Sequence, residues 1–215
     1  KIEKIKKFNK ICNLWFGTDD INHPGVSMFM NGGDYIVSGK PYLIKENYNN
    51  AAGLTPSQTR NIFNHKAWHN IIGFHTRNII HRGHGFIQKK ALELTDADGI
   101  YISPVIGTKK KGDFKSEIIF RSYEILIKEN YYKPYGVLVN PFNTYSRYSG
   151  PREAIFTALC RKNFGCNYFI IGRDHTGVGN YYADIDLKHL FNELDIGIKI
   201  LTFNSVYYSK KRKYK

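Results

Sequence analysis

The chain has 215 residues, of which 42% are hydrophobic and 15% aromatic. That is enough to bury a core, so a disordered chain is excluded, and the length suits one catalytic-size domain with a smaller attachment. With 32 Lys and Arg against 18 Asp and Glu, the formal charge is +14, which favours an anionic partner.

Much of that excess sits in lysine runs at Lys1 to Lys10, at Lys109-Lys110-Lys111 and at Lys210 to Lys215. Runs of this kind read as solvated tails and a loop. No zinc finger, basic zipper or paired aromatic RNA-binding signature accompanies them, so nucleic acid is not the expected partner. Cys12, Cys160 and Cys166 are an odd count without a Cys-x-x-Cys pair. A disulfide framework is therefore not expected, and a reducing, cytoplasmic setting is. No apolar run approaches the ~20 residues of a membrane span, and the charged N-terminus lacks the apolar core of a signal peptide. No membrane partner is expected.

In chain order, residues 1–50 read as irregular, with turn signals at Asn22-His23-Pro24-Gly25 and Asn31-Gly32-Gly33-Asp34. Short β-favouring runs, Tyr35-Ile36-Val37 and Tyr42-Leu43-Ile44, follow them, so this segment is expected to be the end of a β-rich module. Thr55-Pro56 then opens a helix, with Thr55 as cap and Pro56 at its first position. A strand is predicted over 69–74 and a helix over 82–95, with Phe86, Ile87, Ala91 and Leu94 as its apolar stripe. Next come a strand at 99–105, a loop from Gly107 to Asp113, a helix at 115–129 and a strand from Tyr135 to Val139. Gly150-Pro151-Arg152-Glu153 opens a helix to 163, followed by a strand at 167–171, a helix at 186–194 and a strand from Ile198 to Phe203. Alternation at this spacing predicts an α/β fold, a parallel sheet with helices on both faces. Cys160 shares a helix face with Phe156 and Leu159 and is expected to be an inert buried thiol.

Two strand-to-loop junctions carry the chemistry. Gly73 to His84, Gly-Phe-His-Thr-Arg-Asn-Ile-Ile-His-Arg-Gly-His, follows the apolar pair Ile71-Ile72 and packs Arg77, Asn78, His81 and His84 into one segment. His81 and His84 are three apart, so on the first turn of a helix both rings fall on one side. Backbone N–H groups at a helix start, with cationic side chains beside them, make an anion site. Gly172-Arg173-Asp174-His175-Thr176-Gly177-Val178-Gly179 repeats the arrangement after Tyr168-Phe169-Ile170-Ile171. Two such junctions suit the carboxyl edge of a parallel sheet, where α/β folds bind nucleotides, and point to a polyphosphate handled from two loops.

With Leu54-Thr55-Pro56, Arg147 to Ala154 and Arg161-Lys162-Asn163-Phe164-Gly165-Cys166, these segments resemble the ATP sulfurylase family. Gly17-Thr18-Asp19-Asp20 to His23-Pro24-Gly25-Val26 resembles the stretch before its catalytic domain. The resemblance implies a Rossmann-like nucleotidylyltransferase sheet over 51–209, the end of a PUA-like module over 1–50 and a basic tail at 210–215. It implies adenylyl transfer from ATP to sulfate, with pyrophosphate released and Mg²⁺ on the phosphates. Thr76, Arg77 and Asn78 would form the active-site triplet, Arg77 also holding the acceptor, and His81 and His84 would stabilise the transition state. ATP would be held by His75, Thr76, Arg77 and Asn78, by the loop Gly172, Arg173, Asp174 and His175, and by the backbone of Val206. Sulfate would meet His75, Arg77 and Thr176.

Three positions depart from the family pattern: His75 replaces Gln, Thr176 replaces Ala, and Ile79 replaces Pro. The first two touch the acceptor pocket and leave open transfer to a different small oxyanion. A catalytically silent or nucleic-acid-binding homologue is the further alternative. Ser209 and Arg212 stand where relatives carry zinc-binding cysteines, so no zinc site is expected, and the chain reads as a fragment or a reduced homologue. Ser103 replaces the His of a family loop and is expected to be supporting wall; Tyr145 and Tyr148 are expected to be core or rim aromatics. A homo-oligomer stays open.

Overall fold

The computed structural model describes residues 1–42, 53–108, 112–172, 178–182 and 187–207. Five parallel strands form the central sheet, in the order β5 (Gly136–Val139), β4 (Gly99–Pro104), β3 (Ile71–Thr76), β6 (Tyr168–Ile171), β7 (Lys199–Thr202). Helices α3 (Pro56–His65), α6 (Pro151–Asn163) and α7 (Leu187–Leu194) cover one face; α4 (Arg82–Thr95) and α5 (Ser116–Lys128) cover the other. Strands buried on both faces need apolar side chains in both directions. Ile71, Tyr101, Phe169 and Ile171 accordingly pack towards α6, while Ile72, Phe74, Ile100, Ile102 and Ile170 pack towards α4 and α5.

The strand order decides where a ligand can sit. The chain lays β3, β4 and β5 outwards in one direction, then returns through α6 to place β6 on the other side of β3. Connections leaving β3 and β6 therefore diverge, and a crevice opens beyond their carboxyl ends. Both junctions singled out in the sequence, after Thr76 and after Ile171, lie at that switch point.

In front of the sheet, β1 (Ile2–Lys4) and β2 (Tyr35–Val37) pair as an antiparallel ribbon, with α1 (Phe8–Phe16) and α2 (Pro24–Met30) between them. The segment is thus more helical than its β-favouring runs suggest. Cys12, Phe16 and Val26 give these short helices a small core of their own. The turn signal at Asn22–Gly25 is a helix start in which the His23 ring, not one of the usual capping residues, accepts the N–H groups of Gly25 and Val26 at 3.2 and 3.3 Å. Of the second β-favouring run, Leu43 and Ile44 lie outside the described residues.

Helix α3 starts where local chemistry puts it, with a capping box between Thr55 and Gln58. The buried stripe of α4 is different from expectation. Ala91 and Leu92 are fully buried together with Gln88, whereas Phe86 and Leu94 face outwards, 40% and 63% exposed. Gln88 can occupy the core because its amide is satisfied: Tyr132 Oη donates to Oε1 at 2.7 Å, and Nε2 reaches Tyr123 Oη at 3.4 Å. Cys160 is half-buried, and burial pushes its thiol up, which keeps it unreactive. No helix among the described residues is long and apolar enough to cross a membrane.

Trp68 lies across two strand glycines, Gly99 and Gly136, and a Cβ on either would run into its indole ring. Gly136→Ala should therefore overpack this site and cost about 1–3 kcal/mol, a fall of several degrees in melting temperature. In the double variant with Trp68→Leu the two losses should be clearly less than additive. Additive losses in a double-mutant cycle would show that the ring does not set the constraint.

Candidate active site

Strand β3 ends on His75 and Thr76, and the chain bends through Arg77 and Asn78 to His81, the cap of α4. The Thr76 hydroxyl fixes the bend. Its oxygen accepts the Asn78 N–H at 3.1 Å, and it donates to the Asn78 carbonyl at 3.2 Å. His81 Nδ1 accepts the backbone N–H of His84 at 3.4 Å, which leaves Nε2 to carry the proton of a neutral ring. The His81 and His84 rings stack with centroids 3.8 Å apart, and Phe74 stands edge-on to His84 at 5.4 Å. The first turn of α4 carries no acidic residue, so its dipole and N–H groups remain available to an anion. Burial, and then the neighbouring His81, hold His84 down at about 4, against a smaller opposing pull from the Ile79 carbonyl. At neutral pH, His84 is thus an uncharged ring.

These groups open onto a cleft of about 470 Å³, a size that suits a small-molecule ligand. His75, Thr76, Arg77, Asn78, His81, His84, Gly172 and Val206 all line it. Arg173, Asp174, His175 and Thr176 lie outside the described residues, as do Ser209 and Arg212. The sequence reading missed Ser146 and the run Phe203-Asn204-Ser205, which also form the wall. Ser146 matters because its Oγ accepts from Arg77 Nη1 at 3.4 Å. Its only signal was position, in a loop leaving the carboxyl edge of β5. Ser103 is fully buried on β4 and does not reach the cleft. Tyr145 is 41% exposed and lies outside the cleft, stacked under the Arg147 guanidinium at 4.4 Å.

The loop that brings Ser146 to Arg77 is held from two sides, by Glu153 and by Tyr182. Glu153, buried at the start of α6, accepts the Arg147 N–H on both oxygens at 2.9 and 3.0 Å and the Ser149 N–H at 3.4 Å. Burial pushes its carboxyl up, and these N–H donors pull the other way. Tyr182 Oη donates to the Tyr148 carbonyl at 2.8 Å and lies 3.1 Å from His23 Nε2. With Nδ1 of His23 already accepting two N–H groups, Nε2–H is the donor to Tyr182. Tyr181 Oη donates to Asp20 Oδ2 at 2.6 Å. Gly150, at φ +49°, must be glycine twice over, because a Cβ there would sit 2.5 Å from the Tyr182 ring.

Among the described residues, no group of three His, Cys, Asp or Glu side chains is placed to hold a metal ion. No carboxylate is among the described residues of the cleft wall either.

A family model described as ATP-sulfurylase matches residues 50–215. The sulfate adenylyltransferase of Pyrococcus abyssi is 45% identical over 199 residues, covering 91% of this chain and 52% of that protein. Those of Ignicoccus hospitalis and Thermococcus onnurineus are 43% and 41% identical, covering 91% and 98% of this chain and 51% and 56% of theirs. The chain thus spans about half the length of these curated relatives. Among solved structures, the hexameric APS kinase from Thiobacillus denitrificans aligns with a TM-score of 0.58 at 17% identity, over 85% of this chain and 33% of that one. That likeness is one of fold alone.

His84 supplies a pH test. Its folded-state value of about 4 lies below the ordinary 6.5, so unfolding takes up a proton between those values. Its contribution is complete above pH 6.5 and is lost as the pH falls towards 4. Wild type should lose stability relative to His84→Asn, which cannot titrate there, as the pH drops across this window. Parallel curves would mean that His84 is already charged, or freely hydrated, in the folded protein.

Proposed function

Because the chain belongs to the ATP-sulfurylase family, we propose that its cleft transfers the adenylyl group of MgATP to sulfate, giving adenylyl sulfate and pyrophosphate. The observation that carries this reading is the convergence of His75, Arg77, His81, His84 and the start of α4 on one cleft at the strand switch. A sulfate oxygen attacks the α-phosphorus from the side opposite the leaving oxygen. The α–β phosphoanhydride bond breaks, and its electron pair leaves with pyrophosphate. No covalent link to the protein forms, so catalysis consists of alignment and charge stabilisation.

The residues divide that work. Arg77, steadied by Ser146, faces the acceptor oxyanion together with His75. Thr76 holds Asn78 in the bend, where both meet the nucleotide. His81, His84 and the N–H groups of α4 receive the charge that grows on the leaving pyrophosphate. His84 enters uncharged; approaching phosphates favour its protonated form. Mg²⁺ bound to the triphosphate would offset part of its charge. On the family motif we assign Gly172, Arg173, Asp174 and His175 to ATP, Thr176 to sulfate and the Val206 backbone to adenine. Sulfate is the favoured acceptor because the relatives bear its name and because an imidazole at position 75 still offers a donor where the family has an amide. Three free cysteines and an ATP-consuming reaction fit a reducing, cytoplasmic compartment.

Pyrophosphate release from ATP should depend on sulfate and should fall when another oxyanion, such as a phosphonate, replaces it. Turnover supported only by a different acceptor would overturn the reading. His84→Ala should lower turnover about 10²–10³-fold through loss of one donor to developing charge. Its melting temperature above pH 7 should change by the equivalent of about 1 kcal/mol or less. Turnover near wild type would remove His84 from the reaction.

A further inference from the structure

The motif from Arg161 to Cys166 contributes nothing to the cleft wall, yet its arginine is unusually placed. Arg161, in the last turn of α6, is 0% exposed, and its Nε, Nη1 and Nη2 have no hydrogen-bond partner. The described ion pairs leave it without a carboxylate. Aromatic rings cover the guanidinium instead: Cζ lies 4.3 Å from the Phe142 centroid, 5.3 Å from Phe164 and 5.7 Å from Tyr101. The sheet makes room for this side chain. Gly73 sits in the middle of β3, where a Cβ would come 3.0 Å from Arg161 Cγ. A glycine inside a central strand weakens it, so the space for Arg161 is maintained at a cost to stability.

Ring faces offset part of the desolvation of a cation, but they leave its in-plane N–H donors unmatched. The charge is therefore uncompensated, in a medium where a unit charge still acts over about 10 Å. Its nearest route to the cleft is short. Phe142, which carries the guanidinium on its face, stands edge-to-face against the His75 ring at 6.1 Å, and His75 lines the cleft.

We propose that Arg161 is a positioning residue for the acceptor oxyanion: its buried, unpaired guanidinium places positive potential under the His75 end of the cleft and braces the His75 ring through Phe142. The proposal rests on the reading of that end as the acceptor pocket. It explains why a fold would keep an unpaired cation where an apolar side chain of similar length would be more stable.

The test uses the full chain with Arg161→Met, Arg161→Gln and Arg161→Lys, reading KM for sulfate and for ATP together with the melting temperature. Arg161→Met should raise the sulfate KM about tenfold, the effect of one charge at about 10 Å in a medium of intermediate dielectric. The ATP KM should stay within about twofold, and the melting temperature should hold or rise. Arg161→Lys adds a readout that a packing role would not move. A buried lysine loses its proton within the working pH range, whereas arginine keeps its own. The titratable groups packed around position 161 are Tyr101 on β4, Cys160 on α6 and Cys166 before β6, with His75 beyond Phe142.

The Lys variant should bind sulfate like wild type at low pH and like the Met variant at high pH. An unchanged sulfate KM in Arg161→Met would overturn the proposal, as would equal losses for both substrates alongside a lower melting temperature. So would a Lys variant that matches Met at every pH. If Arg161→Met does not fold, the contrast between Lys and Gln decides by the same criteria. If wild type forms no adenylyl sulfate, the activity reading fails separately. The rise in melting temperature on adding sulfate, compared between wild type and variants, then still tests Arg161.

Discussion

Everything at the cleft hangs from the register of β3 between β6 and β4. The register sets Phe74 opposite Ile170 and His75 opposite Ser103, and a slip of one residue would exchange the two faces of β3. His75 would then turn towards the α4 layer and Thr76 towards the α6 layer. In the observed register His75 meets Phe142 on one side, while Thr76 reaches the Tyr123 hydroxyl of α5 on the other. Consecutive residues thus anchor the strand end in both layers. A loop leaving a strand held in this way starts from a fixed point, and the sheet needs no other device to aim it.

If the cleft works as proposed, on two anions at once, it faces a conflict between attraction and cost. Enough positive charge to bring both together would destabilise the fold if it were all buried there. The cleft resolves this by holding much of its capacity as dipoles and neutral rings. The start of α4 offers N–H groups, and His81 and His84 stack closely because they need not both be charged. Arg77 is the permanent cation on the described wall nearest the bend, and Ser146 limits its freedom. Under the proposed function, charge on His84 would follow an anionic ligand, because a nearby negative charge favours the protonated ring.

Much of the sheet was legible because its signals are local. Strand runs buried on both faces, Thr55 before Pro56, and Pro151 at a helix start each act within a few residues. The cleft residues between His75 and His84 were legible for the same reason, since one bend brings them together. What could not be read depends on distant partners. Phe86 and Leu94 look like core residues until Tyr123 and Tyr132 make Gln88 the better tenant of that face. The helix at Pro24 was hidden because a histidine caps it, and that ring is kept in place by Tyr182, 159 residues away. Ser146 carries no motif, and its contact with Arg77 exists only once β5 lies beside β4.

The loop from Tyr145 to Gly150 shows how the N-terminal segment enters the architecture of the cleft. Glu153 fixes the loop from below by accepting N–H groups that have no strand to pair with. Tyr182 fixes it from the side through the Tyr148 carbonyl. Gly25 of α2 packs so closely against it that a Cβ would collide with the Arg147 carbonyl. Tyr182 is in turn held by His23, whose Nδ1 is committed to capping α2 and which therefore has one proton to give, on Nε2. Burial lowers the affinity of His23 for a second proton, and that protects the arrangement, because a doubly protonated ring could not accept the N–H groups of Gly25 and Val26. The neutral state of one buried histidine is thus the condition under which α2, the 178–182 segment and the Ser146 loop fit together, and through Ser146 it bears on Arg77.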